Sequence, residues 1–76
     1  MNPEEKADNL VRKNFQKLNI PKTIKERPFH KTRKGDGFIY EVGERGMLVR
    51  YFVRIEGKDL LLRRIITKFY EDRYKI

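Results

Sequence analysis

One short segment concentrates basic side chains of the kind that bind phosphate groups. Residues 21–34 contain six Lys or Arg residues and one acidic residue, so they carry +5 of the chain's net charge of +8. Clustered Lys and Arg side chains bind nucleic-acid backbones by releasing condensed counterions, and arginine adds bidentate contacts. The segment predicts a nucleic-acid-binding connector, with His30 able to add a hydrogen bond or a stacking surface; its basic residues are Lys22, Lys25, Arg27, Lys31, Arg33 and Lys34.

The same charge run has two alternative interpretations. It is also what a solvated loop looks like when it serves only to keep a small protein soluble. A small regulator that docks on an acidic protein surface would need the same charges. Because the whole chain is basic, with an isoelectric point near 10.0, we favour nucleic acid as the partner.

A second group of residues alternates cationic and aromatic side chains. Arg50, Phe52 and Arg54 share one face of a predicted strand, with Leu48 at the edge. Such a face is similar to a platform for single-stranded nucleic acid, on which bases stack while phosphates pair with arginine. The alternative is structural: Leu48 and Phe52 pack under a helix, and the arginine stems reach past them to water.

A third group of basic residues lies near the end of the chain. A helix with such a basic face can lie in a groove or against phosphates. An ordinary exposed face with local ion pairs is the alternative, because Glu71 and Asp72 interrupt the charge. The group comprises Arg63, Arg64, Lys68, Arg73 and Lys75, of which Arg63 and Arg64 join the candidate nucleic-acid-binding residues.

The chain has few of the residue types that usually serve in catalysis or metal binding. The chain has no Ser and no Cys, which are the usual nucleophiles, and His30 is its only histidine. A thiolate or imidazole zinc site therefore cannot form within one chain. Asp36, Glu41 and Glu44 are interpreted as turn and surface residues rather than magnesium ligands. We predict no metal and no cofactor, and the sequence favours a non-catalytic protein while leaving enzymatic activity open.

The first element that must position these groups is an N-terminal helix over 3–18. Asn2 and Glu5 have capping-box spacing, and Pro3 suits the first helical position. Apolar residues recur at helical spacing, which predicts an amphipathic helix that packs on another layer; they are Ala7, Leu10, Val11, Phe15 and Leu18. Asn19 and Pro21 predict its end.

The middle of the chain is predicted to form a basic connector over 20–35 followed by a β-hairpin over 37–55. Two prolines break the connector, so we expect at most a short edge strand around Thr23–Arg27 and an exposed loop from Lys31 to Gly35. Residues 37–42 and 47–55 alternate in the pattern of two antiparallel strands. The face with Tyr51 and Val53 is wholly apolar or aromatic and is predicted to form the core.

Residues 59–74 are compatible with two structures. Apolar doublets at 61–62, 65–66 and 69–70 give one broad apolar face on a helix, with Asp59 as its cap, and we favour that helix. The alternative is a strand to about residue 66 and a helical tail, since Ile65, Ile66 and Thr67 suit strands. The predicted fold class is α+β: an N-terminal helix, an antiparallel hairpin or three-stranded meander, and a C-terminal helix, in the order α-β-β-α or α-β-β-β-α.

The run Gly46–Ile65, followed by Tyr70–Tyr74, resembles the C-terminal half of RelE/ParE-type toxins. Members of that family carry a strand–turn–strand that ends in a short basic stretch with a terminal tyrosine. The resemblance implies an RNA-cleaving toxin as a further alternative, with Lys, Arg and Tyr side chains in acid–base and phosphate roles. Arg54, Arg64, Arg73 and Tyr74 would be the residues concerned.

Length and composition bound the remaining properties. A chain of 76 residues is enough for one domain, 1–76, and such a domain buries only about 60% of the surface of its unfolded chain. A homodimer is one way to gain the missing stability. The polar N-terminus, the absence of cysteine and the absence of an apolar run of about 20 residues predict a cytoplasmic protein without membrane contact.

Overall fold

The computed structural model describes residues 2–68, which form two helices followed by four strands. The helices are α1, Pro3–Gln16, and the single-turn α2, Lys22–Lys25. The strands are β1, His30–Lys34, β2, Gly37–Glu44, β3, Met47–Glu56, and β4, Asp59–Lys68. All three strand pairs are antiparallel and the sheet order is β1-β2-β3-β4, so the sheet is a meander.

Helix α1 begins where the local sequence predicts it. The Asn2 side chain accepts a hydrogen bond from the Glu5 amide at 2.8 Å, and the Glu5 carboxylate accepts one from the Asn2 amide at 3.2 Å. This capping box satisfies two of the orphan amides of the first turn. The helix ends at Gln16, two residues before the predicted end, and the Lys25 ammonium donates a hydrogen bond to the Gln16 carbonyl at 2.8 Å.

The core lies between the helices and one face of the sheet, which we call the helix face. The predicted core face is confirmed: Tyr51 is fully buried and Val53 is 2% exposed. Helix α1 contributes residues four apart, which lie on one stripe, and α2 contributes Ile24. The buried core residues are Ala7, Val11, Phe15, Ile24, Phe38, Tyr40, Val42, Val49, Tyr51 and Val53.

Two tyrosine hydroxyls tie the helix face to α1. Tyr40 donates to the Asp8 carboxylate at 2.6 Å, and Tyr51 donates to the side-chain oxygen of Asn14 at 2.7 Å. A buried hydroxyl without a partner would cost about 1–3 kcal/mol, so these bonds allow the two rings to be buried. They also fix the position of α1 along the sheet.

The predicted C-terminal helix is wrong over its described part, because residues 59–68 form β4. Every residue from Asp59 to Lys68 pairs with a residue of β3, from Glu56 to Met47. The turn before it has Gly57 at φ 63°, a left-handed conformation that suits the first turn position of a tight hairpin. The strand alternative agrees with β4, whereas the tail beyond residue 68 lies outside the described residues.

The predicted α-β-β-α and α-β-β-β-α orders are therefore replaced by a helix, a short helical turn and a four-stranded sheet. The apolar doublets arise because β4 is an edge strand with apolar side chains on both faces, which imitates helical spacing. Leu60, Leu62 and Ile66 lie on the helix face, and Leu61 and Ile65 lie on the other.

The connector predicted over 20–35 is also more ordered than expected. Its first half forms α2 instead of a short edge strand, because the single turn closes after Pro21 with Ile24 buried beneath it. Its second half, expected to be a loop, is β1, although all five residues of that strand are exposed. Pairing with β2 supplies the backbone hydrogen bonds that stabilise this exposed polar strand.

Candidate functional site

The sheet has a second face that α1 and α2 do not cover, and we call it the open face. Side chains alternate across a strand, so the residues paired between the buried positions point to this side. The open face is made of His30, Thr32 and Lys34 from β1, Ile39 and Glu41 from β2, Leu48, Arg50, Phe52 and Arg54 from β3, and Leu61, Arg63, Ile65 and Thr67 from β4.

Phe52 lies in the middle of the open face and is half-buried. Ile39 pairs with it from β2 and Arg63 pairs with it from β4. Directly paired side chains in an antiparallel sheet have Cβ atoms about 4.5–5.5 Å apart. Arg50 and Arg54 lie two positions before and after Phe52 on the same strand, so three arginines surround the ring. The structural alternative, in which Phe52 packs under a helix, does not apply to the described helices.

A cleft of about 460 Å³ opens beside Phe52. Gly37 forms the floor of this cleft, and it pairs with Lys34 on β1 and with Arg54 on β3. Because glycine has no side chain, the space between those two cations stays open. A Cβ atom at Gly37 would lie 2.1 Å from the carbonyl oxygen of Val53, so no side chain fits without moving the backbone. Leu61 and Arg63 line the opposite side of the cleft.

Two cations of the open face have carboxylate partners. The Arg50 guanidinium contacts the Glu41 carboxylate at 2.6 Å through both Nε and Nη2, and Arg54 pairs with Glu56. Lys34 and Arg63 form no ion pair with a described residue. Exposed ion pairs contribute only about 0–1 kcal/mol, so an incoming phosphate can compete with Glu41 and Glu56 for the arginines.

Most of the other predicted connector cations contact described residues away from the open face. Lys31 pairs with Glu4 and with Asp8, the latter at 3.0 Å, and its ammonium lies 5.3 Å from the centre of the Phe38 ring. The hydrogen bond to Glu4 outweighs partial burial and raises the pKa of Lys31. Partial burial alone would raise the pKa of Asp8, but hydrogen bonds from Tyr40 and Lys31 hold it below its usual value.

The remaining connector residues point in different directions. Arg27 pairs with Glu44 at 3.6 Å, and Lys25 caps α1. Arg33 lies over the Phe38 ring on the helix face, with its guanidinium carbon 5.4 Å from the ring centre, and Lys22 begins α2. Among the described connector cations, Lys34 is the one whose strand position places it on the open face. The structure does not gather this segment into one basic patch.

Arg64 lies on the helix face although its neighbour Arg63 lies on the open face. Its guanidinium donates to the side-chain oxygen of Asn14 at 2.9 Å, sharing that acceptor with Tyr51. Burial raises the pKa of Tyr51, and Arg64 partly opposes this shift. Arg54 and Arg64 are thus on opposite faces and cannot form one site, while Arg73 and Tyr74 of the RelE/ParE resemblance lie outside the described residues.

The sequence patterns missed several members of the site. Ile39, Leu61 and Ile65 join the open face, and Gly37 forms the cleft floor. Leu61 and Ile65 are 46% and 40% exposed, which is high for large apolar side chains. If residues 59–68 had alternated strictly between apolar and polar side chains, the pattern would have predicted a strand and its outward-facing residues. The apolar doublets instead favoured a helix.

Residues 2–68 contain no group of three or more His, Cys, Asp or Glu side chains that could hold a metal ion. Neither of the described helices has the length and apolar character to cross a membrane. Comparison of the chain with protein-family models, with curated proteins and with solved structures gives no match.

Proposed function

We propose that this chain is a non-catalytic nucleic-acid-binding protein whose open face contacts the phosphate backbone. The observation that supports the proposal most directly is the cleft between Lys34 and Arg63, two cations without carboxylate partners among the described residues. Arg54 lines the same cleft, and Arg50 lies farther along β3. The binding surface is therefore the sheet face with one connector residue, rather than the connector as a whole.

Electrostatics favour phosphate as the ligand. A net charge of +8 attracts polyanions over long range, and cations clustered on a surface raise the rate of encounter. The open face adds local complementarity, because Lys34 and Arg63 do not have to break an ion pair with a described residue before they bind. Arg50 and Arg54 must exchange a carboxylate for a phosphate, so we expect each of them to contribute less.

Arg33 and Lys34 are adjacent in the chain but lie on opposite faces of the sheet, and the same holds for Arg63 and Arg64, so these residues provide a matched test. Lys34→Ala with Arg63→Ala removes two charges from the open face, whereas Arg33→Ala with Arg64→Ala removes two charges from the helix face at neighbouring positions. We expect the open-face double variant to lower affinity roughly 5- to 150-fold, since it loses two contacts worth about 0.5–1.5 kcal/mol each. We expect the helix-face double variant to stay within about threefold of the parent.

The salt dependence separates this site from a general effect of charge. Plots of log affinity against log salt lose about 0.7 in slope for each phosphate contact removed from a single strand, and about 0.9 for a duplex. The open-face variant is expected to lose about twice that amount, and fluorescence anisotropy of labelled DNA and RNA at several salt concentrations measures it. Equal slopes in the two double variants would contradict an open-face site.

An acidic protein surface is the second candidate partner. It is favoured by the exposure of Leu61 and Ile65 on the open face, since exposed apolar side chains near charges are common in protein interfaces. Under this alternative the chain would bind a protein from nuclease-treated lysate in a stoichiometric amount. The open-face variant would lose that protein, and no nucleic-acid probe would bind at low salt.

A further inference from the structure

We propose that the ligand is single-stranded, with one base stacked on Phe52 and a neighbouring base in the cleft above Gly37. This inference rests on the proposed function and specifies which form of nucleic acid the open face takes.

The first step of the argument is the mixture of side chains on the open face. A duplex presents phosphates on its surface and hides the faces of its bases, so it offers no base face on which an exposed ring could stack unless the duplex is deformed. Ile39, Phe52, Leu61 and Ile65 lie among the cations, and the two β4 residues are 46% and 40% exposed. Single strands expose both kinds of group, and proteins bind them by combining a basic surface with aromatic stacking.

The second step is the position of the aromatic ring. The other described aromatic side chains, Phe15, Phe29, Phe38, Tyr40 and Tyr51, belong to the core or pack against it. Within residues 2–68, Phe52 is the aromatic side chain on the open face. It is therefore the one phenyl or phenol ring of the described structure on which a base can stack from that side; the other ring on this face, the His30 imidazole, lies at the start of the edge strand β1.

The third step is the spacing of cations around Phe52. Two residues along a strand span about 6.6 Å, so the Cα atoms of Arg50 and Arg54 lie about that far before and after the Cα atom of Phe52. Arg63 pairs with Phe52 across β4. A base on the ring would thus have a guanidinium on either side along β3 and a third beside it, all within reach of adjacent phosphates.

The fourth step is the cleft. Its volume of about 460 Å³ is within the range of about 300–1,000 Å³ that is typical of small-molecule pockets, so it is large enough for a base. Ile39 and Leu61 give it apolar walls, and Lys34 and Arg54 flank its floor at Gly37. An unpaired base fits these walls, whereas a base held inside a duplex could not enter.

Phe52→Trp provides a direct test, because the chain contains no tryptophan and the new indole would be its single reporter. The full chain would be titrated with oligothymidylate and with a duplex of the same length at one salt concentration. We expect the single strand to quench the indole emission and to bind more tightly than the duplex. An unquenched indole in the presence of saturating single strand would overturn the stacking arrangement.

Phe52→Leu is the companion variant, since it keeps most of the apolar volume and removes the ring. Base–aromatic stacking should make the ratio of single-strand to duplex affinity fall roughly 5- to 100-fold in this variant, and Phe52→Trp should preserve it. Urea denaturation of both variants shows whether they fold. An unchanged ratio in folded Phe52→Leu would overturn this inference.

The two proposals fail separately. If Phe52→Leu changes nothing but the Lys34 and Arg63 substitutions still weaken binding, the phosphate-binding function stands and the single-strand inference falls. A duplex that binds as tightly as the single strand would also overturn the single-strand inference and leave the phosphate-binding function in place. If no nucleic acid binds the parent chain at low salt, both proposals are wrong.

Discussion

The helix face and the open face of the sheet come from the same strands but differ in what they do with their side chains. On the helix face, most apolar residues are buried and two tyrosine hydroxyls are paired with α1, those of Tyr40 and Tyr51. On the open face, apolar and basic side chains remain exposed together. The buried arrangement stabilises the fold. The exposed arrangement leaves apolar surface and charges that a ligand can bury or pair with when it binds.

The largest difference between the faces should appear in stability. Phe15 is 1% exposed and its ring contacts those of Phe29 and Tyr51, at centroid distances of 4.8 and 6.5 Å. We expect Phe15→Ala to lower the free energy of unfolding by about 3–5 kcal/mol, which is enough to unfold a marginal domain. Urea denaturation measures this change. Thr32→Ala on the open face is the control and should change stability by less than about 0.5 kcal/mol.

A smaller effect should appear in the pH dependence of stability. The pKa of Asp8 is lower in the folded chain than its ordinary value of 3.8, so its bonds stabilise the fold above about pH 4 and are lost as the pH falls through the folded pKa. Because the pair with Lys31 is partly exposed, we expect a contribution of about 1 kcal/mol or less.

The matching variant is Asp8→Asn. Its free energy of unfolding should fall less steeply than that of the parent as the pH falls below about 4, since the titrating group is absent. Urea denaturation at a series of pH values gives both curves. Parallel curves would show that Asp8 does not stabilise the fold through its charge.

The smallest expected effect is an increase in affinity on the open face. Glu41→Gln removes the carboxylate that pairs with Arg50 and frees that arginine for phosphate. We expect nucleic-acid affinity to rise about 2- to 5-fold, the worth of an exposed ion pair. Asp59→Asn is the control, because it removes the same charge from an exposed position without an ion pair to a described residue. An equal rise in affinity in both variants would show that the change in net charge, and not the release of Arg50, causes the effect.

Features that depend on neighbouring residues could be predicted from the sequence. Asn2 and Glu5 specify the start of α1 through a local capping box, and alternation through 47–55 identifies the core face with Tyr51. The hairpin of β2 and β3 follows from the same local pattern. In each case the contacts that decide the structure are close in sequence or repeat with a simple period.

Features that depend on strand pairing could not be predicted in the same way. Residues 59–68 satisfy a helical period as well as a two-sided edge strand, and only pairing with β3 decides between them. That pairing also separates Arg63 from Arg64. Likewise, the dense charge of 21–34 suggests one patch, but pairing of β1 with β2 places Arg33 and Lys34 on opposite faces. The Arg50–Phe52–Arg54 face was visible in the sequence, whereas its cleft was not.

The meander has a consequence for how the chain reaches this structure. Each strand pairs with its neighbour in sequence across a two-residue turn, so every pairing closes a short loop and costs little chain entropy. Hairpins form in about 1–10 μs, and folds rich in such local contacts fold quickly. The contact between Phe15 of α1 and Tyr51 of β3 spans a much longer stretch of chain. We therefore expect docking of α1 to be the slow step, in which an already paired sheet acquires its core.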